Sequence, residues 1–133
     1  MKYRSGYKYK LTETYSVKIG ITPSQDILTD YISLTTDGLL TVFVNYAWDG
    51  PSGLTFDTKN FMRGSLVHDA LYQLIRLGYL DIGIKDLADK ELVKICREDG
   101  MNKIYSYIVY KFVERFGNFS LDPSIEKKFK EAP

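Results

Sequence analysis

The hydrophobic period of this chain changes once, across the six residues Trp48-Asp49-Gly50-Pro51-Ser52-Gly53. Before that segment, large and β-branched residues alternate with polar ones, the two-residue period of a half-buried strand. After it, apolar residues recur every three or four positions, the period of a helix buried on one face. Two glycines and a proline in so short a stretch fit neither pattern and mark a loop. Strands first and helices after predict one α+β domain, an antiparallel β-hairpin region followed by three helices packed against it.

The expected parts are a β-rich region over 1–46, a Gly-rich loop over 47–59, a helical region over 60–117 and a polar tail over 118–133. Alternation predicts one strand from Tyr7 to Ile19, a turn from Gly20 to Asp26, and strands Tyr31–Thr35 and Leu39–Tyr46. Between the last two lies Asp37-Gly38, a pair suited to the positive φ of a tight hairpin turn. Asp57 or Thr58 is placed to cap the first helix, Phe61–Leu77, whose apolar side carries Phe61, Leu66, Val67, Ala70, Leu71, Leu74 and Ile75 and which stops at Gly78. A second helix, Lys85–Glu98, has Leu87, Ala88, Leu92, Val93, Ile95 and Cys96 as its apolar side and ends at Gly100. The third, Asn102–Phe116, carries Ile104, Tyr105, Ile108, Val109, Phe112, Val113 and Phe116 and ends at Gly117. The charged stretch beyond it reads as a short surface helix or frayed end.

Composition removes several classes of function. Eighteen basic and 17 acidic side chains in 133 residues leave a formal charge of +1, so no basic field favours nucleic acid. The basic start, with Lys2, Arg4, Lys8 and Lys10, reads as a solvated strand face, and no nucleic-acid-binding module is visible. The single cysteine, Cys96, excludes an intramolecular disulfide framework and a cysteine zinc cluster. A lone histidine, His68, excludes sites built from two or three imidazoles. No apolar run approaches the ~18 residues of a transmembrane segment. Met1–Lys10 has no apolar signal-peptide core, which predicts folding in a cytoplasm without disulfides.

Three features carry the candidate chemistry: the loop at Trp48–Gly53, the pair His68-Asp69, and Asp89. His68 and Tyr72 are one helical turn apart, so they share a face. His68 lies among Leu66, Val67, Ala70 and Leu71, where an imidazole either edges the core by hydrogen bonds or forms part of a site. Asp69 beside it needs a partner wherever it is buried, because ionised carboxylates in apolar surroundings are paired or bind metal. Asp89 lies on the stripe of Leu92, Val93 and Cys96. It either crosses to His68, fixing the tautomer and leaving the other ring nitrogen free as a base, or sits in water with Lys85 or Lys90. A glycine-containing loop with one carboxylate suits a hard cation such as calcium, and equally serves as a plain strand-to-helix turn.

Trp48-Asp49-Gly50, Asp57-Thr58-Lys59-Asn60 and His68-Asp69-Ala70-Leu71-Tyr72, together with Ala88-Asp89, resemble the phage and prophage family catalogued as domain of unknown function 1353. The likeness covers roughly Tyr46 to Gly117 and implies a phage-encoded protein of the host cytoplasm or virion, with phage structural proteins as partners. The family name supplies no activity. A more distant likeness does: secretory phospholipases of the A-two type carry His-Asp-x-x-Tyr on a helix after a glycine-rich calcium loop. Gly50 and Gly53 fall 18 and 15 residues before His68, similar to the spacing in those enzymes. That likeness implies His68 as the base that activates water, Asp89 as its orienting carboxylate and Tyr72 as a hydrogen-bond donor to Asp89. It also implies calcium held by Asp69 and the carbonyls of Trp48, Gly50 and Ser52. Three features depart from the pattern. This chain has one cysteine where those enzymes are disulfide-rich, it opens on strands rather than a helix, and Ser52 stands where a loop glycine is expected.

Two readings of function follow. One is a small calcium-assisted hydrolase acting on a lipid or small ester through a His68–Asp89 dyad. The other is a non-enzymatic phage virion or lysis-region accessory protein in which His68, Asp89 and Tyr72 form a structural polar cluster. The 11 tyrosines suit the second reading, since tyrosine is enriched at interfaces, and suit ordinary strands as well. Sequence alone leaves the oligomeric state open.

Overall fold

The computed structural model describes residues 1–4, 9–48 and 58–120. Among the described residues seven short strands come first: β1 (Tyr3–Arg4), β2 (Tyr9–Leu11), β3 (Tyr15–Lys18), β4 (Ile27–Leu28), β5 (Ile32–Leu34), β6 (Leu39–Val42) and β7 (Ala47–Trp48). Three helices follow: α1 (Thr58–Arg76), α2 (Lys85–Glu98) and α3 (Lys103–Ser120), with a 3-10 turn at Ile82–Ile84 leading into α2. The expected α+β order is observed, strands first and helices after. No described helix is long and apolar enough to cross a membrane.

The strands form two antiparallel sheets, one ordered β1-β2-β7 and the other β3-β6-β5-β4. The expected hairpin is present. Gly38 takes φ 91° and closes the β5–β6 turn, where Gly38 N donates to Thr35 O at 3.0 Å. Two expected strands are interrupted. Tyr7–Ile19 divides at 12–14 into β2 and β3; of Leu39–Tyr46 only Leu39–Val42 is strand, as β6, before a turn at 43–46, and β7 then occupies the first two residues of the expected Gly-rich loop. Asn45 occupies that turn at φ 79°, a conformation asparagine tolerates better than most side chains. Both breaks fall at one level of the molecule, where Val44 N donates to Thr14 Oγ1 and Asn45 N to Leu11 O. There the two chains leave one sheet and enter the other together. Alternation persists through such a corner, so the period alone does not reveal it. It is this corner that places Trp48 in a strand rather than in the loop.

α1 begins at Thr58, three residues before the expected start, and Asp57 lies outside the described residues. Gly78 and Gly100 stand at positive φ two residues past the last residues of α1 and α2, as the stop signals predict. At each, one amide reaches back five residues, Tyr79 N to Leu74 O and Met101 N to Cys96 O. α2 has the expected bounds. α3 is capped by Asn102, whose Oδ1 accepts from Tyr105 N at 2.9 Å. It does not stop at Gly117 but runs on to Ser120, a lone helical glycine costing only about 1 kcal/mol. The tail beyond Ser120 lies outside the described residues.

The main core joins Leu11, Leu34, Leu40, Val42 and Trp48 of the sheets to Leu66, Val67, Ala70, Leu71 and Leu74 of α1. A second cluster, Phe61, Leu92, Cys96, Met101 and Val109, fills the junction of the three helices. The helices approach closely at Gly64: a Cβ at that position would lie 2.9 Å from Cys96 Sγ and 3.1 Å from Leu92 O. Part of the expected apolar faces is not buried. Leu87 on α2 and Ile104, Tyr105 and Ile108 on α3 are exposed, because α3 packs against α2 along one narrow side while its sequence is apolar over a wider arc.

Candidate functional site

α1 projects neighbouring side chains toward different elements. Successive helical residues are about 100° apart, so His68 turns to α2 while Asp69 turns to the strand corner. His68 Nε2 lies 2.7 Å from Asp89 Oδ1, across the α1–α2 interface. Tyr72, one turn further along α1, donates its hydroxyl to the same Oδ1 at 2.6 Å, and its ring is tilted against the imidazole with centroids 4.0 Å apart. The second carboxylate oxygen, Oδ2, accepts from Lys85 Nζ at 2.8 Å. Lys85 also reaches the main chain of α3, at Val113 O (3.4 Å) and Glu114 O (3.3 Å). One buried carboxylate therefore joins all three helices.

The sequence left two settings open for Asp89, and both of its partner types are present at once. It crosses to His68 and also takes the ammonium four residues earlier. Lys90, the other lysine considered, pairs instead with Asp86 at 3.0 Å. The side chain of Asp89 is 1% exposed, and those of His68 and Lys85 are 13% exposed. Burial pushes the Asp89 carboxyl upward, but hydrogen bonds from His68, Lys85 and Tyr72 outweigh it and hold the group below the ordinary carboxylate range. Tyr72 is shifted strongly upward, by burial first and then by its bond to the Asp89 carboxylate.

These contacts assign the histidine tautomer. An ionised carboxylate only accepts, so Nε2 carries the proton given to Asp89. In the neutral ring the lone pair then sits on Nδ1, the arrangement a general base requires. Among the described residues no buried side-chain nitrogen or oxygen lacks a partner.

Asp69 belongs to a neighbouring but separate arrangement. Its Oδ2 accepts from the Tyr46 hydroxyl at 2.8 Å. Beside it, a cleft of about 390 Å³ opens between Tyr31, Tyr46, Trp48, Asp69, Gln73 and Arg76. His68 is not among the residues lining that cleft. Trp48, expected as a loop residue with its carbonyl turned to a metal, is a buried β7 residue whose Nε1 donates to Ser65 Oγ at 3.0 Å. Gly50 and Ser52 lie outside the described residues. Among the described residues no three His, Cys, Asp or Glu side chains converge to hold a metal ion.

Two contributors were not singled out in the sequence. Tyr46 and Ser65 hold Asp69 and Trp48 through long-range contacts that carry no local signal. No family model, curated protein or solved structure matches the chain.

Proposed function

We propose that the protein is a small hydrolase in which His68 acts as the general base that activates water and Asp89 holds it in the active tautomer. The observation that carries the reading is the 2.7 Å contact between His68 Nε2 and a buried, ionised Asp89, on an imidazole that keeps 13% of its surface exposed. Water hydrogen-bonded to Nδ1 gives up a proton as its oxygen attacks an ester carbonyl. The imidazolium formed is stabilised by Asp89 and returns the proton to the departing alcohol as the C–O bond breaks. Tyr72 and Lys85 fix the two carboxylate oxygens, so the carboxylate does not reorient when the ring becomes charged. The likeness to secretory phospholipases points to a lipid or other carboxylic ester as the substrate class.

The test is hydrolysis of p-nitrophenyl esters and of phospholipid vesicles by the wild type and by His68→Ala, with calcium and with chelator. Turnover that is lost in His68→Ala supports the reading. Negligible turnover in every arm, equal to that of His68→Ala, removes it. A difference between calcium and chelator decides whether an ion bound near Asp69 takes part.

A second reading has its own support: the Asp89 cluster joins three helices through closed hydrogen bonds, as a purely structural knot would. In that case the chain is a phage virion or lysis-region accessory protein without catalysis, in line with the phage-family likeness. His68→Ala then lowers stability with no activity to lose.

A further inference from the structure

α3 is apolar on two sides, and among the described residues only one of them is packed. Ser106 and Val109 face α2 and are buried. On the opposite side Ile104 is 72%, Tyr107 62% and Ile108 42% exposed. Helical spacing continues this outer face through Lys111 and Arg115. A helix apolar all round is normally covered, and a contiguous exposed apolar patch marks a contact surface. Charge indicates what covers it. Over Lys103–Arg115 the helix carries Lys103, Lys111 and Arg115 against Glu114 alone, a local excess of +2 on a chain whose total is +1. Lys111 is shared between Glu114, 3.4 Å away, and the Tyr107 ring. Arg115, next along the same face, is exposed. A second copy placed on this face by two-fold symmetry brings like cations together or sets them against the apolar half. A flat anionic surface with an apolar interior satisfies both halves at once: isoleucines enter the acyl boundary, Tyr107 takes the interfacial level, and Lys111 and Arg115 reach phosphates.

We infer that the outer face of α3, centred on Ile104, Ile108, Lys111 and Arg115, docks the protein onto an anionic lipid surface. This goes beyond the hydrolase reading and does not depend on turnover, since it concerns binding alone. It nonetheless bears on the site, because Lys85 links the Asp89 carboxylate to the α3 main chain at Val113 and Glu114.

The experiment is vesicle co-sedimentation of the full chain with ether-linked phosphatidylcholine, alone and mixed with ether-linked phosphatidylglycerol. These lipids have no acyl ester to cleave, so failure of docking and failure of catalysis are read separately. Binding is expected to rise with the phosphatidylglycerol fraction and to fall in high salt. The double variant Ile104→Glu/Ile108→Glu is expected to bind at least ten- to a hundredfold more weakly, from the apolar burial lost at each position. Lys111→Glu/Arg115→Glu is expected to remove the preference for anionic vesicles. All four positions are solvent-facing, and an unchanged thermal melt verifies that the variants fold. Absence of binding at every composition overturns the inference, as does binding that either double variant leaves intact. A concentration-dependent dimer, broken by Ile104→Glu/Ile108→Glu and without vesicle binding, also overturns it and assigns the face to a second copy.

Discussion

Replacing Asp89 by asparagine keeps the shape of the side chain and removes its charge. The wild-type carboxylate takes Lys85 at 2.8 Å, His68 at 2.7 Å and Tyr72 at 2.6 Å, almost entirely out of water. In Asp89→Asn one neutral amide oxygen replaces two charged acceptors, so the Lys85 ammonium loses its counter-charge and competes with His68 and Tyr72 for that oxygen, while keeping its longer contacts to two α3 carbonyls, at 3.3 and 3.4 Å. Removing one partner of a buried ion pair costs ~3–5 kcal/mol. Because Lys85 retains those carbonyls and 13% exposure, the lower end applies, about 3 kcal/mol. Unfolding entropy of ~2.1 cal/mol/K per residue, taken over 133 residues, converts this to a melting temperature lowered by about 11 °C. The assay is thermal and urea unfolding of the wild type, Asp89→Asn, Lys85→Met and the double variant. Most of the cost lies in the stranded ammonium, so adding Lys85→Met to Asp89→Asn is expected to recover half or more of the loss. A single variant melting within about 3 °C of wild type, or a double variant no more stable than Asp89→Asn, would refute the reasoning.

Three further outcomes follow from the same contacts. Gly64→Ala is expected to destabilise the fold by ~1–3 kcal/mol in urea unfolding, since the new methyl meets Cys96 Sγ at 2.9 Å and the rigid Leu92 carbonyl at 3.1 Å. A loss below about 0.5 kcal/mol would show that α1 and α2 separate freely at that point. The Asp89 carboxyl is held below its unfolded value of ~4, so the folded state binds that proton less readily; the stability it adds is full above about pH 4 and is lost as pH falls through the folded value. Acid unfolding followed by circular dichroism should show a flatter acid limb in Asp89→Asn, and superimposable limbs would contradict this. Burial pushes the Cys96 thiol up to about 12, so at pH 8 a thiol reagent should modify it only as the protein opens, at a rate that urea raises steeply. Immediate labelling of the native protein would place the thiol at the surface instead.

Local patterns in the chain were sufficient for the elements whose causes are local. The Asp37-Gly38 hairpin, the stops at Gly78 and Gly100 and the span of α2 all depend on residues within a turn or two of one another, and all stand where the pattern puts them. The same holds for the shared face of His68 and Tyr72. The strand corner at 12–14 and 43–46 was not legible, because residues alternate identically whether a strand continues or changes sheet. The wide apolar arc of α3 likewise predicted burial that its main described neighbour, α2, supplies only along one side.

The candidate site divides along the same line. Sequence determined which groups were available: a lone imidazole, an acidic residue on an apolar helical stripe, a lysine one turn before it and a tyrosine one turn after the histidine. Tertiary structure decided that a single carboxylate takes all three donors, and that Asp69 turns away to Tyr46. Helical periodicity fixes the direction in which a side chain leaves its own axis. The distance to a group on another helix is set by how closely the two pack, and here the missing side chain of Gly64 leaves room for Leu92 and Cys96 to come close.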